Sequence, residues 1–220
     1  MAFYDFLFGI GGSPLKRHAR WVANRDAQPE DRELSANWLA EQGTEEALVA
    51  LCSRFSLQLE HGLKDRKEKE LVFDLLVEKG SQGAEVARIF ARRDISFAYP
   101  LKVIERIEGS TAATEFLLEL LAAESVDNEL KPEKKRNLLV ALAERKHPRL
   151  AETARPFLRD YDEGVRHAAI ECIAAQEGDV AYPALLAALQ NPKEESTRIR
   201  GRLSEIFQQR RWTVPTAPTP

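Results

Sequence analysis

Four histidines and two cysteines are the residues of this chain best equipped for chemistry: His18, His61, His147, His167, Cys52 and Cys172. Only one spacing brings ligand types together. His167 and Glu171 stand four apart, on one face of a helix, and Cys172 adjoins them. Two ligands at that spacing can begin a metal site. No third ligand lies nearby, and Cys172 falls on the apolar stripe of its segment. His147 precedes Pro148 in a turn and is expected to be solvated. His61 lies in a loop read over 56–65, without an acid or thiol partner. Gly9-Ile10-Gly11-Gly12-Ser13 looks superficially like a phosphate loop, but it lacks the Lys-Ser/Thr ending and a preceding strand, so it reads as a hinge. The mixed charges of 64–70 read as a solvated helix start. No nucleophile–base set emerges. The chain is expected to be no enzyme and to need no metal or cofactor.

The elements that would position these residues are helical. Ala, Leu, Glu and Arg dominate, and hydrophobic residues make up 44% against 30% charged, a balance suited to a soluble helical protein. A net charge of −3 supplies no positive field to draw the chain onto nucleic acid. No apolar run approaches the ~18 residues of a membrane span. The aromatic start, with Phe3, Tyr4, Phe6 and Phe8, is interrupted by Asp5 and does not read as a secretory signal. Both cysteines sit in apolar helical patterns, as buried reduced thiols do, which suits a cytoplasmic protein.

Helical segments recur in pairs. The segment 32–42 carries Leu34, Trp38 and Leu39, stops at Gly43, and Thr44 can cap its successor, which bears Ala47, Leu48, Leu51, Cys52 and Phe55. The spacing is that of an amphipathic helix, not of a strand. The unit returns over 67–79 with a partner carrying Val86, Ile89 and Phe90. It returns again from Leu101 to Leu121 across Gly109, from Leu138 to Leu158 across His147-Pro148, and from Val165 to Leu189 across Gly178. These breaks lie about 29 to 38 residues apart, and a period of roughly 20–50 residues built from helix pairs predicts an α-solenoid. Helices around Leu15, Ala19 and Val22 and over 196–209 are expected to cap its ends.

Two segments match position by position. Asp162-Glu163-Gly164-Val165-Arg166 and Ser196-Thr197-Arg198-Ile199-Arg200 each have a capping residue, a β-branched residue three later, and then Arg. With the Ala-rich run after Arg166, Gly178-Asp179 and Leu185, Leu186 and Leu189, the stretch 160–207 resembles the bacterial HEAT repeat, also called lyase-HEAT-like. The resemblance implies an all-α, right-handed α-solenoid of about five HEAT-like helix pairs with capping helices. Domain organisation follows: an aromatic segment and hinge over 1–13, the solenoid over 14–211, and a Pro/Thr-rich disordered tail over 212–220.

The resemblance also implies that second helices line a concave face. Their charged residues there are Glu85, Arg88 and Arg92, then Glu115 and Glu119, then Arg149, Glu152, Arg155 and Arg159. This basic–acidic–basic order fits either ion pairs between repeats or a groove for a partner protein, and argues against a nucleic-acid track, which needs one sign throughout. Two irregular stretches, 56–63 and 92–100, the latter with Phe97 and Tyr99, are further candidates. Phe3, Phe6, Leu7 and Ile10 share a helical face and could cap the first repeat, enter a partner groove, or make peripheral contact with a membrane. The expected function is a non-enzymatic protein-binding scaffold or adaptor. The alternatives are an accessory subunit of a chromophore-attaching lyase and a membrane-peripheral module.

Overall fold

The computed structural model describes residues 13–129 and 132–215. Among the described residues there are twelve α-helices and no strand. Helix α1 (Pro14–Val22) opens on Ser13, whose hydroxyl accepts from the Lys16 N–H. Helix α2 (Pro29–Gln42) ends at Gly43, where φ is 62°, a conformation that favours glycine. Thr44 then caps α3 (Glu45–Cys52), accepting from the Ala47 N–H at 3.3 Å. The chain continues through α4 (Gly62–Glu78), α5 (Ser81–Arg93), α6 (Ala98–Glu108), α7 (Ser110–Ala122), α8 (Pro132–Ala143), α9 (Leu150–Ala154), α10 (Glu163–Ala174), α11 (Gly178–Leu189) and α12 (Thr197–Arg210). A lone helix, five successive pairs and a last helix make an all-α HEAT-like repeat solenoid.

Chain contacts divide the solenoid into two compact units, with the division between Ala113 and Thr114, inside α7. In the first unit α1 packs on α2 and α3, the first helices α2, α4 and α6 stack in order, and the second helices α3 and α5 pack together. The core runs through Val22, Leu39, Leu48, Leu51, Val72, Leu76, Phe90 and Ile104, all buried. In the second unit α8, α10 and α12 stack as one layer, and α9 packs on α11 in the other. Leu138, Leu142, Leu150, Val165, Ile173, Leu185 and Leu203 are buried between them. One helix pair cannot cover its own stripe, so each depends on the next.

Several expectations need correction. Leu34 is 62% exposed: the buried face of α2 is Arg32, Ser35, Ala36, Leu39 and Ala40, and position 34 lies about 200° round the helix from 36. The loop expected over 56–65 is cut short, because Ser53–Ser56 winds into a 3-10 turn and α4 already begins at Gly62. An ion cluster braces this winding. Arg54 donates to the Leu57 carbonyl and the Asp65 carboxylate, and Asp65 accepts from the Leu59 N–H at 3.2 Å. The irregular stretch around 92–100 likewise shrinks to the four residues between α5 and α6. At the other end the chain turns back after α12. Trp212 packs edge-on against Phe207 and Tyr182, and the Tyr182 hydroxyl donates to the Thr213 carbonyl at 2.8 Å. Trp212 and Thr213 are therefore held on the fold rather than starting a loose tail.

A cation at the fourth residue of a first helix ties repeat to repeat. Arg166 donates to the Asp160 and Tyr161 carbonyls of the turn before its own helix, and forks onto Glu194 in the turn before α12, at 2.9 and 3.1 Å. Lys135 does the same with the Ser125 and Asn128 carbonyls and with Asp160, at 2.6 Å from its carboxylate. Arg32 reaches the Asn24, Arg25 and Ala27 carbonyls and forks onto Glu68 at 2.8 Å. These cations supply donors to turn carbonyls, some of which, those of Asn24 and Ser125, also accept from a backbone N–H. Arg200, fourth in α12, follows the pattern toward the Glu194 carbonyl.

Candidate protein-binding groove

The second helix of the fourth pair is unusually short, and proline is the cause. Pro156 has no N–H, so the α ladder cannot continue past Glu152, and α9 passes into a 3-10 turn over Arg155–Arg159. The turn buries Phe157 and Leu158 and leaves Arg155, Pro156 and Arg159 exposed. Opposite it, α11 offers only Ala184, Ala187 and Ala188. Small side chains facing a truncated helix leave a depression of about 410 Å³, bordered also by Asn191. A second depression of about 570 Å³ lies on the other flank of the turn, against Leu121, Ala122 and Val126, and shares Glu152 and Pro156 with the first. A third, of about 500 Å³, continues past Arg159 toward Tyr161 and Lys193. The shared walls make one open groove within the second unit.

Several charges around the groove are already committed, while Glu152, Lys193 and Glu195 line it without an ion pair among the described residues. Glu115 takes both the His147 Nε2–H, at 2.9 Å, and the Arg149 guanidinium. Glu124 pairs with Lys134 at 3.3 Å, Asp160 with Lys135 and Glu194 with Arg166. Among the described residues, the guanidiniums of Arg155 and Arg159 have no ion pair or hydrogen bond with the protein, and both residues line the alanine-floored depression.

The other residues singled out in the sequence fall in different settings. Arg88 and Arg92 belong to the first unit, and Glu115, Glu119, Arg149, Arg155 and Arg159 to the second. Arg88 forks onto Glu108, and that hydrogen bond holds the Glu108 carboxyl below its usual range. Arg92 and Glu119 are exposed. Arg149 is exposed as well and lines the wider depression while paired to Glu115. Phe97 is only 5% exposed: it is a core side chain with almost no surface to offer a partner. Tyr99 stacks on Phe55 with ring centres 5.1 Å apart, and its hydroxyl donates to Glu70 at 3.1 Å. Phe3, Phe6, Leu7 and Ile10 lie outside the described residues.

His61 is exposed, and the other groups considered for chemistry are engaged in structural contacts or buried. His147 is not a solvated turn residue: its Nδ1 accepts from the Arg149 N–H at 3.2 Å while its Nε2 meets Glu115. The His167–Glu171 pair is loose, at 4.0 Å, because Glu171 is taken by Arg202, whose hydrogen bond holds the carboxyl below its usual range. Burial pushes the Cys172 thiol up to about 12 and the Cys52 thiol up as well. Both are buried free thiols, and burial keeps them protonated. Among the described residues no group of three or more His, Cys, Asp or Glu is placed to hold a metal ion, and no helix is long and apolar enough to cross a membrane.

Pro156 and the three alanines of α11 were not among the sequence candidates. A proline inside a second helix was the available signal, since it shortens whatever helix it enters.

Residues 114–204 match the family model of HEAT repeats. The match falls within the second unit and contains every residue lining the groove. No curated protein and no solved structure matches the chain. HEAT repeats commonly serve as scaffolds for protein–protein interaction.

Proposed function

We propose that this chain is a non-enzymatic scaffold or adaptor that binds a partner protein in the groove of its second unit. One observation carries the reading: two exposed guanidiniums, Arg155 and Arg159, stand without intramolecular partners beside an apolar floor, while the nearby cations Lys135, Arg149 and Arg166 are paired. Exposed groups of mixed chemistry on a rigid repeat are what a recognition surface needs. The non-enzymatic part draws support from the buried, protonated thiols and from His147, which is engaged with Glu115. A cytoplasmic setting agrees with two free thiols.

Site-specific photocrosslinking in cells tests the reading. p-Benzoylphenylalanine at Ala187, in the groove, should give discrete covalent adducts with a partner. The same group at Val140, exposed on α8 and away from the groove lining, should not. Equal adducts from both positions would overturn the assignment.

The likeness of 160–207 to bacterial lyase-HEAT-like repeats supports a narrower version, an accessory subunit in chromophore attachment. Its signature would be a shift in tetrapyrrole absorbance on mixing. A membrane-peripheral role through the N-terminal segment would show as liposome flotation that is lost on deleting residues 1–12.

A further inference from the structure

We infer that the segment received by this groove is a short acidic peptide of the partner, its carboxylates on Arg155 and Arg159 and a small apolar side chain on the alanine floor of α11. The inference rests on the groove being the binding surface and names the chemistry of its occupant.

Charge carries the argument. Arg149 is tied to Glu115, Arg166 to Glu194 and Lys135 to Asp160, so these cations are largely neutralised where they stand. Arg155 and Arg159 are left as the free positive charges of the 410 Å³ depression. A guanidinium presents a planar fork of donors that matches a carboxylate, and the pair is strongest beside low-dielectric surface. The alanines of α11 and the ring of Pro156 supply that surface.

Sign and size narrow the occupant further. Glu152 lies at the junction with the neighbouring depression, four residues before Pro156, and Glu195 borders the groove beyond Arg159. A continuous polyanion such as a nucleic-acid backbone would meet these carboxylates on leaving the two arginines. A peptide with two acids clustered at one end avoids them. The volume is at the lower end of clefts that seat ligands, roughly 300–1,000 Å³, which suits a few residues and not a whole helix. The groove also has a direction: the acids belong at the Arg159 end and a neutral or basic residue at Glu152.

The test uses the full chain and two fluorescein-labelled hexapeptides of equal apolar content, Lys-Ala-Leu-Ala-Glu-Glu and Lys-Ala-Leu-Ala-Lys-Lys, titrated by fluorescence anisotropy. Three proteins are compared: the unaltered chain, Arg155→Glu/Arg159→Glu, and Ala188→Trp. The last fills the floor and leaves both arginines in place. The substituted positions lie on the groove surface, and circular dichroism checks that both variants keep their helices. The acidic peptide should bind, and each variant should weaken it by about tenfold or more. If the lysine peptide binds instead and Ala188→Trp abolishes it, the groove stands and the acidic occupant is overturned. If the acidic peptide binds all three proteins alike, surface charge elsewhere holds it, and both the occupant and the groove fall. If neither peptide binds, the inference is overturned, and the crosslinks from Ala187 decide the groove by themselves.

Discussion

Glycine 83 is the residue whose replacement the structure forbids most directly. A Cβ built there would stand 1.9 Å from the Leu76 carbonyl oxygen, so α5 approaches the end of α4 more closely than any side chain allows. Gly83→Ala should therefore destabilise the first unit by at least about 1–3 kcal/mol, despite the better helix propensity of alanine. Thermal melts check it, at about 2–4 °C per kcal/mol for a chain of this size. Nothing in the local pattern exposes this contact, because it depends on which turn the helix meets. Other residues were legible. Asp162 and Ser196 do cap their helices, accepting from the N–H three residues on at 2.9 and 3.1 Å, and Val165 and Ile199 are buried as their spacing requires. Glu68 was hidden inside a charge run that reads as a solvated helix start, yet its carboxylate lies between the Arg32 and Arg54 guanidiniums at 2.8 Å from each. Burial alone would raise the Glu68 carboxyl; the hydrogen bonds from Arg32 and Arg54 outweigh burial and hold it below its ordinary 4.5. Burial likewise opposes ionisation of Asp65, and the hydrogen bonds from Lys69 and Arg54 reverse that. Both acids thus bind protons less readily folded than unfolded. Their stabilisation is complete above about pH 5 and is lost as pH falls through the folded values. Glu68→Gln should cost about 3–5 kcal/mol at neutral pH, since it leaves the buried Arg32 guanidinium without a counter-charge and Arg54 with Asp65 alone. Its stability should also fall less steeply between about pH 5 and pH 3 than that of the unaltered chain, a slope that urea melts across this range would read.

At the scale of the helix, the recurring device is the cation at the fourth position of first helices. The sequence displays it twice, in α10 and α12, because a capping residue and a β-branched neighbour accompany the arginine there. In α2 the preceding residue is Asp31, and in α8 it is Lys134, so Arg32 and Lys135 carry the same role without the flanking pattern. The register persists where the motif does not, since turn carbonyls need a donor whatever residue precedes it. Lys135 is the sharpest instance. It is 1% exposed, and its partner Asp160 is as deeply buried. Lys135→Ala should cost about 3–5 kcal/mol, because Asp160 is then left charged and unpaired. Replacing both at once, Lys135→Met with Asp160→Leu, should cost less than the single change, because no buried charge is orphaned. Chemical denaturation of the three proteins gives the comparison, and a double replacement as damaging as the single one would assign the loss to the turn carbonyls of Ser125 and Asn128 instead. The groove has the same mixed legibility. Arg155 and Arg159 stand out as exposed charges on a second helix. Pro156 makes that helix short, and three alanines one repeat later make the space, a combination visible only once α9 and α11 are adjacent.

At the scale of the whole chain, a repeat protein whose stability is a sum of repeats and their nearest-neighbour interfaces need not respond uniformly to local damage. The tryptophans are well placed to show this. Trp21 and Trp38 lie in the first unit, Trp38 stacked on His18 at 4.3 Å, and Trp212 lies in the second, packed on Phe207 at 5.2 Å. In a Trp212→Phe background the emission reports the first unit. In a Trp21→Phe/Trp38→Phe background it reports the second. Glu68→Gln strikes the first unit and Lys135→Ala the second, each compared within its own background. Urea titrations followed by emission should show Glu68→Gln lowering the first-unit midpoint more than the second-unit midpoint, and Lys135→Ala doing the reverse. Equal shifts in all four combinations would show that the chain unfolds as a single cooperative body and that damage to any turn is shared by every repeat. Unequal shifts carry a functional consequence. The groove would then keep its shape while the first unit opens, because Arg155, Arg159 and the alanine floor belong to the second unit. In that case binding of the acidic hexapeptide should survive Glu68→Gln at urea concentrations that have already melted the first unit.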